Sequence, residues 1–313
     1  MTATRVAAID CGTNSIRLLI ADLDPATGAI ADLDRRMVIN RLGQGVDSTG
    51  RLHPDALERT FAACREYAEI ITAHGVGPER IRFVATSASR DAENAAEFTG
   101  GVHAVLGVTP QVVSGEEEAH LSFTGATKEL TGGPFKPPYL VFDLGGGSTE
   151  FVLGGEDVQA ARSVDIGCVR LTERHFAGTE LPSEEQIARA RADIGAALDT
   201  AAEAVPLTEA ATLVGLAGTV TTVAGIVLGL PAYDSEKIHH ARLSVEQVRE
   251  TALKLLHSTH AERMAIPVMH PGRADVIGAG ALVLLEIMER TGASEVVVSE
   301  HDILDGIAWS IAP

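Results

Sequence analysis

The sequence is short of three things, and each shortage excludes a class of protein. It has only three cysteines, Cys11, Cys64 and Cys168, an odd number, far apart and without C-x-x-C spacing. That pattern excludes a disulfide framework and a zinc or dithiol redox motif, and it points to a reducing, cytoplasmic setting. Long apolar runs are absent as well. The longest, Val276 to Leu285, stops at Glu286, short of what a bilayer requires, and the opening MTATRVAAID lacks the charged-then-apolar pattern of a signal peptide. No membrane is expected as a partner. Basic residues are scarce too: 25 Lys and Arg stand against 43 Asp and Glu, for a formal charge of −18. A nucleic-acid polymer needs clustered Lys and Arg, so none is expected to bind. Screening over about 8 Å at physiological salt still allows a local pocket of arginines and amides to hold a small polyanion.

What is present suits a globular chain. Hydrophobic residues make up 45% and charged residues 22% of 313, enough for packed cores and for two domains rather than one. Val6 to Ile9 and Ile16 to Ile20 flank a polar tip and read as a hairpin. Leu57, Phe61, Cys64, Ala68 and Ile71 recur at helical spacing between Pro54 and Gly75. A strand at Ile81 to Ala85, an Ala-rich helical stretch and a strand near Val112 follow, an alternation that favours an α/β fold. The Gly- and Pro-rich segment Thr131 to Pro138 reads as a loop separating two halves. Beyond it come a second hairpin, Tyr139 to Asp143 and Glu150 to Leu153, and a helix over Ser183 to Val205. Ser183 with Gln186 forms a capping-box pattern, and Ser244 with Gln247 repeats it. An apolar helix from Asp275 to Arg290, a strand Glu295 to Val298 and a helix near Ile303 to Ile311 complete the chain.

The two hairpins share a design. Asp10-Cys11-Gly12-Thr13-Asn14-Ser15 and Asp143-Leu144-Gly145-Gly146-Gly147-Ser148 carry Asp, Gly and Ser at equal spacing, 133 residues apart. Small tip residues leave backbone N–H groups able to surround phosphate oxygens. Either hairpin alone is explained by turn geometry; two matched copies favour phosphate binding. Arg17 follows one tip and Glu150 the other, a cation for phosphate and a carboxylate for a metal. Asp143 is placed to hold Mg²⁺, while Asp10 reads nearly as well as a turn cap. Arg90 follows the candidate loop Thr86-Ser87-Ala88. Glu116, Glu117 and Glu118 open a helix, where the dipole alone accounts for three acids; spacing does not choose a water-activating base among them. Gly215 to Thr222 runs from a strand into a helix start, an anion site without the lysine of a P-loop. His239, His240 and Arg273 add polar groups in the second half.

With these pieces in order, the chain resembles the exopolyphosphatase and guanosine-pentaphosphate phosphohydrolase (Ppx/GppA) family. DCGTNSIRLL from Asp10, ATSASRDAEN from Ala85, SGEEEA from Ser114, DLGGGSTE from Asp143, GLAGTVTT from Gly215 and GRADVIGAGALVL from Gly272 carry the resemblance. It implies two ribonuclease-H-like domains of the actin, hexokinase and heat-shock ATPase superfamily with a catalytic cleft between them. They are expected over residues 1–120, with a C-terminal helix of about 300–313 packing back, and over 121–299. It further implies Glu118 as general base, with Arg90 and Glu150 catalytic. Phosphate binding is expected from Gly12, Thr13, Asn14, Ser15, Arg17, Ser87, Gly145, Gly146, Gly147, Ser148, Thr149, Gly218 and Thr219. Asp143 and Glu150 are expected to hold Mg²⁺, or Mn²⁺ in its place. The substrate is polyphosphate or a guanosine polyphosphate, with a homodimer left open. The expected reaction is release of orthophosphate from inorganic polyphosphate. The rival readings are a pppGpp 5′-phosphohydrolase, a non-enzymatic (p)ppGpp sensor and, within the superfamily, an acetate-type kinase. Larger family members carry appended helical domains, and the end at Pro313 makes short-chain polyphosphate the expected substrate. The family's I-H-G motif reads Ile238-His239-His240, a bulky ring in place of glycine.

Overall fold

The computed structural model describes residues 3–24, 29–128, 130 and 133–311. Two α/β units emerge, Met1–Gly125 with Ile303–Pro313 and Ala126–Asp302. Expected cuts at 120 and 299 fall inside the helix Gly115–Thr127 and in the connector ahead of the helix Ile303–Ile311. In the loop expected over Thr131 to Pro138, Thr131 and Gly132 lie outside the described residues.

The first unit is built on strands β1 (Thr4–Cys11), β2 (Ile16–Asp24), β3 (Ala29–Val38), β4 (Ile81–Ala85) and β5 (Gln111–Val112), ordered 3-2-1-4-5. β2 runs antiparallel to β1 and β3, whereas β4 is parallel to both β1 and β5. The second unit has β6 (Tyr139–Leu144), β7 (Thr149–Gly154), β8 (Val158–Val164), β9 (Thr212–Leu216), β10 (Arg242–Ser244) and β11 (Glu295–Val298). Their order is 10-11-9-6-7-8. Read from its own hairpin outward, β8-β7-β6-β9-β11 repeats the first sheet's order, with the same antiparallel hairpin and the same parallel centre. This doubled strand order is the ribonuclease-H-like, actin-type fold.

The hairpins extend further than their apolar runs. Asp10 and Cys11 belong to β1, and β3 is an additional strand whose side chains are largely exposed, so it carries no continuous apolar signal. The central strands β1 and β6 are buried along most of their length. Helix Pro54–Ala73 covers one face of the first sheet with Leu57, Cys64 and Ile71, each large aliphatic contributing about 1.5–3 kcal/mol. Pro54 starts it at a position that needs no N–H. Helix Ile303–Ile311 packs on the other face with Ile303, Leu304 and Ile307 against Val6, Ala8 and Leu19. Gly306 lets it meet the Leu121 backbone, where a Cβ has no room. Both expected capping boxes form, Ser183 with Gln186 and Ser244 with Gln247, and Thr259 with Glu262 adds a third.

Candidate active site

In open α/β sheets, ligand sites gather beyond the carboxyl ends of parallel strands. In the first unit those ends belong to β1, β4 and β5. The tip after β1 is closed by the Gly12 N–H donating to Ser15 O at 2.9 Å. Its carbonyls turn inward: Thr13 O accepts from Gly43 N at 2.8 Å and Asn14 O from Arg41 N at 3.0 Å. The amides of Thr13 and Asn14 have no partner among the described residues. Beside the tip, Thr13 Oγ1 and Ser87 Oγ lie 2.9 Å apart, both buried. One turn further along helix Ser87–Asp91, Arg90 Nη1 donates to Val113 O and to Glu118 Oε2, each at 3.1 Å. Glu118 alone of the three acids is buried. Glu116 is exposed, and Glu117 is drawn outward to Arg82 at 2.5 Å. Arg17 forks onto Asp10 Oδ2 through Nε at 3.0 Å and Nη2 at 2.7 Å, tying the two hairpin strands together where they are in register.

The second unit repeats the arrangement with different chemistry. Gly145 N donates to Ser148 O at 3.1 Å, the same closure as Gly12 to Ser15. The carbonyls again turn inward, Gly145 O to Cys168 N, Gly146 O to the amides of Val169 and Arg170, and Gly147 O to Arg170 Nε at 2.6 Å. The amides of Gly146 and Gly147 have no partner among the described residues. Thr149, fully buried, ties its hydroxyl to Ile166 O at 2.7 Å. Where Asp10 faces Arg17, Asp143 faces Glu150. Both acids are buried, and Ser163 Oγ donates to Glu150 Oε1 at 2.7 Å. The parallel neighbour corresponds as well: Asp10 pairs with Val84 and Asp143 with Leu216, so Ser87 and Thr219 each lie three residues beyond the matched partner. The connection after β9 is strained. Ala217 has φ 70°, a left-handed conformation for a residue with a Cβ, directly before Gly218 and Thr219.

Four matches place this arrangement among known proteins. The model of the Ppx/GppA phosphatase family matches residues 19–313. The chain belongs to the Ppx/GppA phosphatase family. It is 49% identical to Exopolyphosphatase 2 of Mycobacterium tuberculosis, with all of both chains covered. Among solved structures, an exopolyphosphatase-like protein is 43% identical with a TM-score of 0.93, covering 98% of each chain. The Aquifex aeolicus Ppx/GppA family member is 32% identical with a TM-score of 0.79, covering 98% of this chain and 97% of that one.

Within this Ppx/GppA chain, several residues escaped the motifs. A Cβ on Gly167 would overlap Gly146 and come within 2.7 Å of Gly147 N, and one on Gly43 would overlap the Thr13 side chain. Each phosphate-loop candidate thus rests on a distant glycine. Arg170, which braces the second tip, and Arg41, with φ 51° behind the first, were not singled out either. Arg273 lies across Gly218, donating to its carbonyl at 3.2 Å and to Thr222 Oγ1 at 3.1 Å. The departure from I-H-G also has a structural reading. His240 has φ 61°, a conformation that glycine adopts without cost and His sustains here while stacked on His239 at 3.7 Å.

The acids of the second unit fit a divalent cation. Asp143 and Glu150 face one another across two strands, and two hard oxygen donors suit Mg²⁺, which fills its other positions with water and substrate phosphates. No three His, Cys, Asp or Glu side chains placed to hold a metal ion gather among the described residues.

Proposed function

We propose that this chain hydrolyses the terminal phosphate of inorganic polyphosphate, preferentially short chains, releasing orthophosphate. The observation that carries the reading is Glu118, buried beside the phosphate-loop candidate of its unit and held at one oxygen by Arg90. The name of the mycobacterial relative, exopolyphosphatase, supports the same reaction. In this reading the amides of Thr13 and Asn14, and of Gly146 and Gly147, bind phosphate oxygens, with the hydroxyls of Ser87 and Thr219 beside them. Asp143 and Glu150 would hold Mg²⁺, which when bound offsets negative charge on the phosphates. Glu118 accepts a proton from water as its oxygen attacks the terminal phosphorus. The bond to the bridging oxygen breaks, and the shortened chain leaves with that electron pair. Phosphoryl transfer is mostly positioning and electrostatics, which is what rigid, amide-lined tips provide. A reducing cytoplasm fits the three buried free thiols.

The test is phosphate release with Mg²⁺ from short polyphosphate, long polyphosphate, pppGpp and ATP, run beside Glu118→Gln. Short polyphosphate should be the best substrate, and Glu118→Gln should lose about 10²–10⁴-fold in kcat. Full activity in the variant removes Glu118 as base; faster turnover of pppGpp moves the assignment to the nucleotide.

A further inference from the structure

A cavity of 420 Å³ in the second unit has no place in the chemistry above. Phe176 and Leu256 give it apolar walls, and Arg263 is its principal cation. Arg263 is only 9% exposed. Its Nε is buried without a hydrogen-bond partner, and its side chain forms no ion pair among the described residues. A buried guanidinium normally has its donors occupied, because leaving a charge unpaired in the interior is among the costlier things a fold can do. Two acids, Asp275 and Glu180, also line the cavity and act on Arg263 through space, yet burial dominates and holds the guanidinium below its ordinary value. Neither acid comes within ion-pair distance of the guanidinium.

We infer that the cavity binds a small organic oxyanion, a carboxylate or phosphate monoester on an apolar body, with Arg263 meeting the anionic end and Phe176 and Leu256 the body. The cavity is also placed to influence the second phosphate loop. Thr172 and Phe176, in its wall, belong to the turn that continues directly from Cys168–Leu171, whose amides brace Gly145 and Gly146. An occupant would stiffen that brace, so binding there is expected to alter KM more than kcat.

Thermal unfolding of the full chain with benzoate or phenyl phosphate, without Mg²⁺, tests the site. Benzoate probes the carboxylate and phenyl phosphate the monoester. The wild type should show a saturable rise of a few degrees with at least one probe, and Glu118→Gln should keep it. Arg263→Met should lose it, with its own melting recorded without ligand so that the loss is read on a folded chain. Calorimetry on the wild type should count one probe per chain, independently of how the variant folds. No shift with either probe, no binding by calorimetry, or an equal shift in Arg263→Met would each overturn the inference.

Discussion

Arg90 holds two acceptors at once, Val113 O and Glu118 Oε2, and removing it acts on both. Arg90→Ala removes the donor that fixes the Glu118 carboxylate at Oε2 and the Val113 carbonyl beside it. We predict a kcat loss of about ten- to a hundredfold, partly rescued by Arg90→Lys; full activity in Arg90→Ala would show that Glu118 needs no such support. The cysteines offer a second check. Burial pushes Cys64 up to about 12 and Cys168 up to about 11, and carries Cys11 well above its ordinary value. Thiols, not thiolates, are thus present at neutral pH. Iodoacetamide at pH 7.5 should label none of the three in the native protein and all of them in denaturant, counted by mass spectrometry.

The hairpin with its supporting glycine is the working element. Gly167 has φ −163°, which any residue can adopt, so close packing on Gly146 and Gly147 alone demands glycine there. Gly167→Ala should displace the tip, costing about 1–3 kcal/mol by overpacking and at least tenfold in activity; a variant as active and as stable in urea as the wild type would show that the tip tolerates movement. At His240 the logic reverses. His240→Gly trades ring stacking for an unstrained backbone and should stay within about 1 kcal/mol of the wild type, whereas β-branched His240→Val should lose about 1–2 kcal/mol. These elements also mark where the sequence was informative. The tips were legible because Asp, Gly and Ser recur locally at equal spacing, and the closing bonds Gly12 to Ser15 and Gly145 to Ser148 follow from that. Glu118 was singled out through the family resemblance, and its burial beside Arg90 agrees with that choice without testing it. Gly43, Gly167 and Arg170 were not legible, because their roles depend on contacts made across the fold with residues outside their own motifs. β3 was missed for a related reason: an edge strand with exposed faces need not be apolar.

At the scale of the whole molecule, charge and substrate oppose one another. A chain of formal charge −18 repels a polyanion at long range, while the proposed contacts with it, tip amides and a few arginines, act at hydrogen-bond distance. Salt distinguishes these terms because it shortens the reach of the first far more than it weakens the second. The screening length falls from about 30 Å at 0.01 M to about 8 Å at 0.15 M, so repulsion from distant acids is largely removed while contacts in a partly buried site persist. With free Mg²⁺ held constant, kcat/KM for short polyphosphate should rise over that range, mainly through KM, and then fall at higher salt as the direct contacts weaken. A steady fall from the lowest salt upward would mean that a local positive field outweighs the net charge, and that recognition begins well before the phosphate reaches the tips.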